Sequence, residues 1–171
     1  SEVMANAYFL RAYCYFTLVR VFGDCPLLTS GFESEKQEDM YPSRTAASEV
    51  YAQVETDIEE ALRLMPASSK LLHKASPAAI NMLRTEYYLW KAKRLGGGNA
   101  ALSTAQSSVD AVLKAGYALL PTFADIFNLN NEANSELIWT LPYIVNENVT
   151  PGTSPNFFAY YLAPNGDRTR G

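Results

Sequence analysis

The stretch YFLRAYCYFTLVRVFGDCPLL, residues 8–28, decides the fold. Its apolar side chains recur at steps of three and four residues, which is the period of one face of an α-helix. These positions are Tyr8, Phe9, Ala12, Phe16, Val19 and Phe22. Gly23 follows as the residue type that most easily ends a helix in a left-handed conformation, and Pro26 lies just behind it. The stretch therefore predicts a first helix from about Ala5 to Phe22.

Two further segments show the same helical period. Thr45 is a candidate N-cap of a second helix, which Pro66 ends. Its apolar stripe consists of Ala47, Val50, Val54, Ile58, Ala61, Leu62 and Met65. Ser76 and Pro77 are typical of the N-cap and the first residue of a third helix. That helix carries Ile80, Leu83, Tyr87, Trp90 and Arg94 in phase and ends at the three glycines 96–98.

A fourth helix is predicted between Asn99 as N-cap and Gly116 as the C′ residue. Its apolar face consists of Leu102, Ala105, Val109, Val112 and Leu113. Four amphipathic helices, with an acidic surface loop over residues 30–40, favour stacked antiparallel pairs. The helix starts near Thr45 and Asn99 do not follow the ~34-residue spacing of regular tetratricopeptide repeats. The predicted fold is therefore mainly α, an irregular version of that helical array.

The pattern changes after Gly116. Residues 117–127 predict a short turn of helix, and residues 136–143 predict a strand or an extended segment. The rest predicts irregular structure. We expect one domain over residues 1–171, with a helical-repeat scaffold at 1–116 and a turn, an extended segment and an irregular aromatic-containing loop at 117–171. Because the chain begins inside a helical pattern and ends in a polar stretch, we interpret it as a piece of a longer protein.

Composition excludes several classes of protein. Apolar residues make up 48% of the 171 residues and charged residues 19%, which excludes global disorder. The formal net charge of −4 argues against a nucleic-acid partner or an anionic membrane surface. No uninterrupted apolar run approaches the ~18 residues that a membrane-spanning helix needs.

The residues that could carry catalysis or bind metal do not form a recognisable site. His73 is the only histidine and has no nucleophile motif near it, so an exposed loop histidine is favoured. Cys14 and Cys25 are too few for a closed zinc site. A disulfide between them would require the chain to turn back at once, so two small side chains in a helical core are favoured. We predict no catalytic residue, no metal and no cofactor.

Two polar clusters have a simpler explanation than a binding site. The stretch NLNNEANSE, residues 128–136, lacks the alternating acids and the mid-loop glycine of a calcium loop, so asparagine turn chemistry is favoured. Asp57, Glu59 and Glu60 are interpreted as a solvated helix face rather than a pair of catalytic carboxylates.

Aromatic residues form 12% of the chain. Those in phase with a helical stripe are predicted core residues, namely Tyr8, Phe9, Phe16, Tyr87 and Trp90. A second group lies outside any strong periodicity, namely Phe157, Phe158, Tyr160 and Tyr161. Aromatic rings suit the apolar faces of sugars as well as protein interfaces. This second group is therefore a better candidate than the first for contact with a ligand or a partner.

Three segments resemble the SusD/RagB family of Bacteroidetes outer-membrane glycan-capture lipoproteins. The first is residues 8–28, with matching residues Arg11, Ala12, Tyr15, Phe16, Leu18, Gly23, Asp24 and Pro26. The second is SEVYAQVETDIEEALRLMP, residues 48–66, which follows Arg44 and Thr45. The third is GYALLPTFADIFNLNNEANSELIWTLPY, residues 116–143. The resemblance covers about Val3 to Tyr143, and the third helix departs from the family pattern.

The resemblance implies a non-enzymatic cell-surface protein. Such a protein captures glycans and passes them to a SusC-like TonB-dependent transporter, and an N-terminal lipid anchor outside this chain holds it at the outer membrane. Our hypothesis for ligand contacts is Phe157, Tyr160 and Tyr161, because these aromatic residues cluster outside the helices. Two alternatives stay open: a helical-repeat module that binds a protein partner, and a receptor for peptide nutrients that binds no sugar.

Overall fold

The structure is a computed structural model that describes residues 1–31, 41–69, 72–131 and 133–141. Its long helices are α1 (Glu2–Phe22), α2 (Ala47–Leu64), α3 (Pro77–Arg94) and α4 (Gly98–Leu113). A single helical turn, α5 (Phe123–Ile126), and a 3₁₀ turn (Leu129–Asn131) follow. The predicted mainly α architecture is confirmed. None of the helices in the described ranges is long and apolar enough to cross a membrane.

Helices α1 and α2 form an antiparallel hairpin. At one end, the backbones of Cys25 and Thr45 exchange two hydrogen bonds of 3.0 and 3.2 Å. At the other end, the hydroxyl group of Ser69, just beyond α2, donates to the carboxylate of Glu2 at 3.3 Å. The end of each helix thus lies beside the start of the other.

The start of α2 differs from the prediction. Thr45 does not cap the helix, since its backbone is engaged in the bridge with Cys25 and the helix begins two residues later. The Asp24 carboxylate accepts a hydrogen bond of 2.8 Å from the backbone N–H of Ala47. The α1–α2 connection therefore supplies the cap of α2 from a distant residue, which also fixes one helix against the other.

Helices α3 and α4 form a second hairpin, joined by the tight turn 95–97. The predicted cap of α3 is confirmed, because the hydroxyl group of Ser76 accepts from the N–H of Ala79 at 3.1 Å. The predicted cap of α4 is wrong: Asn99 is already the second helical residue, and Gly97 precedes the helix. The C-terminal end also comes earlier than predicted, at Leu113, with Gly116 in the turn beyond it.

The core lies between the facing sides of the four helices. The residues that α1 buries are Ala5, Phe9, Ala12, Phe16 and Val19. Four of them were predicted, whereas Ala5 was not; of the other predicted positions, Phe22 is exposed and Tyr8 is partly buried. Gly23 ends α1 with a φ of 68°, a value that side-chain-bearing residues rarely adopt. Trp90 of α3 is partly buried, and Tyr87 is fully buried.

The predicted face of α4 is confirmed in part, because Ala105 and Val112 are buried as predicted. The helix buries mainly small side chains, namely Ala101, Ala105, Ser108 and Val112. Leu102 and Leu113 are exposed instead. The alanines allow α4 to lie close to α3, whereas a leucine-lined face would hold the two helices further apart.

The structure also decides the predictions for the cysteines and for the asparagine-rich turn. Cys14 and Cys25 are free thiols, and only Cys25 is buried, so the predicted core position of Cys14 is wrong. The asparagine turn chemistry is confirmed, for example by the carboxamide oxygen of Asn134, which accepts from the N–H of Glu136 at 3.1 Å. Residues 136–141 contain no strand. Most of the acidic loop, residues 32–40, lies outside the described residues.

Candidate functional site

A concavity among the described residues lies between α1, α3 and the segment 136–139. We call it the aromatic groove, and it has a volume of about 470 Å³. Its floor and walls are formed by Phe9, Tyr13, Met82, Leu83, Leu89, Ile138 and Trp139. Thr85, Glu86 and Glu136 supply its polar groups. A volume of this size suits a ligand of a few sugar rings or the side chains of a docked peptide.

Trp139 is the main aromatic residue of the groove. Its ring meets the rings of Phe9 and Tyr13 edge to face, with centroid distances of 5.2 and 5.3 Å. The next residue, Thr140, donates its N–H to the carbonyl oxygen of Leu72 at 3.1 Å. Because both the ring and the adjacent backbone are held, the segment 136–139 presents Trp139 in a fixed position.

The charged residues that line the groove are both acids. The Glu86 carboxylate is paired with Arg20 of α1 at 2.6 Å. One carboxylate oxygen of Glu136 accepts from the N–H of Leu120 at 2.8 Å, which fixes it against the turn after α4. The groove thus combines aromatic surface with hydrogen-bond acceptors and an acidic rim.

A second, smaller cavity of about 290 Å³ lies between the connector 67–78 and the segment 115–138. Asn134 lines this cavity, and hydrogen bonds hold its side chain in place. The carboxamide nitrogen of Asn134 donates to the carbonyl oxygens of Ile126 and Asn131 at 3.2 and 3.0 Å. Since these bonds stabilise the local turn, Asn134 has a structural role.

Asp57 corrects the interpretation of the acidic face of α2. It is 1% exposed rather than solvated, and it forms an ion pair with Arg11 of α1 at 2.6 Å. Gln53 donates a further hydrogen bond to the same carboxylate at 2.8 Å. Glu59 and Glu60 lie nearer the surface, where they pair with Arg84 and Arg63. Asp57 is therefore a structural acid that joins α1 to α2.

Glu55 is the centre of a polar network between α2 and α3. Its carboxylate accepts hydrogen bonds from Tyr87, Tyr88 and Lys91 at 2.7–2.9 Å. Burial opposes ionisation of Glu55, but these bonds from Lys91, Tyr88 and Tyr87 outweigh it and hold its pKa below the usual 4.5. Burial, and then the Glu55 carboxylate, raise the pKa of both tyrosines above their ordinary 10. The network therefore joins the two hairpins. The shifted pKa values keep Glu55 ionised and both tyrosines protonated near neutral pH.

The remaining candidates for chemistry are also accounted for. His73 is an exposed loop residue, as predicted, and its Nδ1 lies 3.2 Å from the hydroxyl group of Thr140. Among the described residues, no three histidine, cysteine or acidic side chains converge as they would around a metal ion.

The predicted ligand contacts, Phe157, Tyr160 and Tyr161, lie outside the described residues. Tyr13 and Trp139 were not predicted to lie together. Tyr13 follows Ala12 of the core stripe of α1 by one position. This position beside the stripe could have predicted an aromatic ring at the edge of the core, on the side of the groove. Nothing in the sequence indicated that Trp139, 126 positions away, would pack on it.

Comparison with known proteins identifies the family. A model described as "Starch-binding associating with outer membrane", of the SusD-like proteins, matches residues 1–89. SusD-like protein P38 of Formosa agariphila is 31% identical, and the alignment covers 96% of this chain and 34% of the relative. A SusD superfamily protein of Bacteroides vulgatus superposes with a TM-score of 0.74 at 32% identity, over 84% of this chain and 29% of that one.

A second similar structure is named for the glycan that it binds. It is called "Laminarin binding SusD-like protein", and it superposes with a TM-score of 0.64 at 26% identity, over 79% of this chain and 29% of that one. The chain spans only about a quarter to a third of the length of the curated relatives that it matches. Since the family model matches more than half of its residues and the four-helix fold agrees, the chain belongs to the SusD-like family.

Proposed function

We propose that this chain is part of a non-catalytic glycan-binding protein of the outer membrane, held there by an N-terminal lipid anchor, that captures sugars for a SusC-like TonB-dependent transporter. The observation that carries the proposal is the match of residues 1–89 to a family described as starch-binding and associated with the outer membrane. The laminarin-binding neighbour supports a glycan as the class of ligand.

Binding without catalysis fits the way the chain uses its acids. The carboxylates of Glu55 and Asp57 are each held by several donors from neighbouring helices. A glycoside hydrolase instead needs two acids that face each other across the scissile bond, one of them able to give up a proton. A carboxylate whose pKa is lowered by hydrogen bonds, as that of Glu55 is, makes a poor general acid.

Two sets of aromatic residues are proposed to contact the glycan. The first is Phe157, Tyr160 and Tyr161, which cluster in the sequence outside the helices. The second is Tyr13 and Trp139 of the aromatic groove, where the carboxylates of Glu86 and Glu136 could accept hydrogen bonds from sugar hydroxyl groups. Selectivity would come from the shape of the aromatic surface and from polar groups that a wrong sugar leaves unpaired.

The experiment is binding of the full-length, lipid-free protein to a panel of plant, host and microbial polysaccharides, by affinity electrophoresis followed by calorimetry. At least one polysaccharide should retard the protein. The loss of binding should be at least tenfold in Trp139→Ala or in the triple replacement of Phe157, Tyr160 and Tyr161 by alanine. Tyr41→Ala removes a 91% exposed aromatic ring outside both sets and serves as the control.

The outcomes separate the parts of the proposal. Trp139→Phe keeps an aromatic ring and should restore most of the affinity that Trp139→Ala loses. Binding that neither set of variants weakens would place the glycan elsewhere in the protein. No binding to any polysaccharide would overturn the glycan proposal. Co-purification with the TonB-dependent barrel would then test the transporter role separately.

A protein-interaction module or a peptide receptor is the second candidate. The observation that favours it is the predominantly apolar lining of the groove, with Met82 and Leu89 both exposed. Such walls suit the apolar side chains of a docked peptide. Capture of a peptide with no affinity for any polysaccharide would establish this alternative.

A further inference from the structure

The aromatic groove is lined by acidic side chains and by no basic one. Among the described residues around it, Glu86 of α3 and Glu136 of the segment 136–139 are the only charged side chains. The other lining residues are apolar apart from Thr85, whose hydroxyl group donates to the carbonyl oxygen of Asn81 at 2.8 Å. A charged group that enters the groove therefore meets negative charge from two separate elements of the fold.

Glu136 contributes the larger share of this charge. One of its carboxylate oxygens accepts from the backbone N–H of Leu120 at 2.8 Å. Within the described part of the chain, no basic side chain forms an ion pair with it. The N–H fixes the position of the carboxylate without neutralising its charge. Because Glu136 is only partly exposed, water screens this charge less than it screens a fully exposed one.

Glu86 is held in a different way. Its Oε1 pairs with Nη1 of Arg20 at 2.6 Å, and the guanidinium group of Arg20 also lies 4.0 Å from the centroid of the Phe16 ring. Arg20 is not among the residues that line the groove. The arginine positions the carboxylate of Glu86 and offsets part of its negative charge. Glu86 therefore contributes less than Glu136 to the electrostatic potential in the groove.

We infer that Glu136, assisted by Glu86, makes the aromatic groove select against glycans that carry carboxylate or sulfate groups. A hydroxyl group of a neutral sugar donates a strong, charge-assisted hydrogen bond to a carboxylate. A carboxylate or sulfate has no proton to donate, and it brings a like charge into a groove from which the bound sugar displaces water. The groove therefore accepts neutral glycans. This inference rests on the proposed glycan binding and narrows its class of ligand.

The charge of the groove can be measured without any sugar. Met82→Cys places a thiol at the groove, because Met82 lines it and is 38% exposed. The full-length variant is treated with a trimethylammonium or a sulfonate methanethiosulfonate, and labelling at residue 82 is followed by peptide mass spectrometry. The ratio of the cationic to the anionic rate should be about tenfold higher in the native protein than in denaturant.

Glu136→Gln is the matched variant for this measurement, because its carboxamide oxygen can still accept from the N–H of Leu120. It should lower the native ratio most of the way to the denatured value, and Glu86→Gln should lower it less. Leu102→Cys is the control site, since Leu102 of α4 is 41% exposed and does not line the groove. Its ratio should not respond to Glu136→Gln.

Two outcomes of the thiol measurement would overturn the inference. The first is a ratio at Met82→Cys that Glu136→Gln leaves unchanged. The second is a native thiol at this position that reacts with neither reagent, because a groove closed to small solutes cannot select a sugar.

The polysaccharide binding assay gives a second readout. The wild-type protein should bind a neutral polysaccharide such as laminarin more tightly than polygalacturonate, and Glu136→Gln should narrow this difference. Tighter binding of polygalacturonate than of every neutral polysaccharide, abolished by Trp139→Ala, would overturn the inference and leave the proposed glycan binding intact. No binding to any polysaccharide would overturn the proposed function, and this inference with it, whatever the charge that the thiol measurement reports.

Discussion

Arg11 and Asp57 form a two-pronged ion pair between α1 and α2. Nε and Nη2 of Arg11 donate to the two carboxylate oxygens of Asp57 at 2.7 and 2.6 Å. A third nitrogen, Nη1, donates to the carbonyl oxygen of Thr29 at 3.1 Å. One arginine thus ties the loop after α1 and the middle of α2 to the same side of α1.

Asp57→Ala should lower the free energy of unfolding by about 3 kcal/mol, because it removes the partner of a partly buried arginine and empties a packed position. Urea denaturation followed by circular dichroism measures the change. Arg63→Ala breaks a surface pair with Glu60 and should lower the free energy of unfolding far less, because both groups are exposed to solvent. Equal losses in the two variants would contradict the structural role of Asp57.

Asp24→Ala should destabilise the protein by about 1 kcal/mol, since it removes the acceptor of the first N–H of α2. The hydrogen bond that the guanidinium group of Arg44 donates to the backbone carbonyl oxygen of Asp24 stays intact. Thr45→Ala is the matched control, and it should cost markedly less because the contribution of Thr45 is through its backbone. A larger loss in Thr45→Ala would show that the threonine caps the helix after all.

The stability should fall on acidification through the low pKa of Glu55. A carboxyl group whose pKa is lower in the folded state stabilises the fold above its unfolded pKa, near 4.5, and this contribution disappears as the pH falls through the folded pKa. Glu55→Gln should flatten the acid side of a plot of unfolding free energy against pH. An unchanged slope below pH 4.5 would mean that other carboxyl groups control acid unfolding.

Alkaline conditions should destabilise the protein through Tyr87 and Tyr88. The pKa of each is raised in the folded state, so their contribution is complete below the unfolded pKa near 10 and is lost as the pH rises above it. Tyr88→Phe should make the stability less dependent on pH between about 10 and 11. Ultraviolet titration of tyrosinate, native against denatured, gives an independent measurement: two fewer tyrosines should ionise in the native protein over this range.

Gly97→Ala should destabilise the α3–α4 hairpin by roughly 1–3 kcal/mol. An added Cβ would lie 2.8 Å from the Cβ of Ala101 and 3.2 Å from the carbonyl oxygen of Lys91, neither of which can rotate away. Gly31→Ala is the control, because a Cβ there meets nothing within 4 Å. Thermal denaturation should separate the two variants by several degrees, and the same Tm for both would show that the turn relaxes.

Much of the helical scaffold could be predicted from the sequence because it depends on local patterns. The three- and four-residue period of α1 to α3 and the Ser76–Pro77 start of α3 are properties of neighbouring residues. The errors arose where a distant residue decides. Thr45 is a residue type that commonly caps helices. Asp24 caps α2 instead, because the α1–α2 hairpin places its carboxylate beside the first N–H of the helix.

Dependence on distant residues also explains why parts of the candidate site could not be predicted. Asp57 looks solvated in the sequence, because nothing nearby shows that Arg11 of another helix pairs with it. Leu102 and Leu113 of α4 were wrongly predicted as core residues because leucine is more apolar than alanine, whereas the buried face uses Ala101 and Ser108. The aromatic groove requires three separate segments to meet, so its residues could not be grouped from spacing alone.

The two hairpins differ in the length of the connection between their helices. Residues 95–97 connect α3 to α4, whereas residues 23–46 connect α1 to α2. Loop closure becomes costlier with length, by about 2 kcal/mol for an eightfold longer connection. The α3–α4 hairpin can therefore form first when the complete chain refolds. The aromatic groove is complete only once α1 has packed beside α3, because its walls come from both helices.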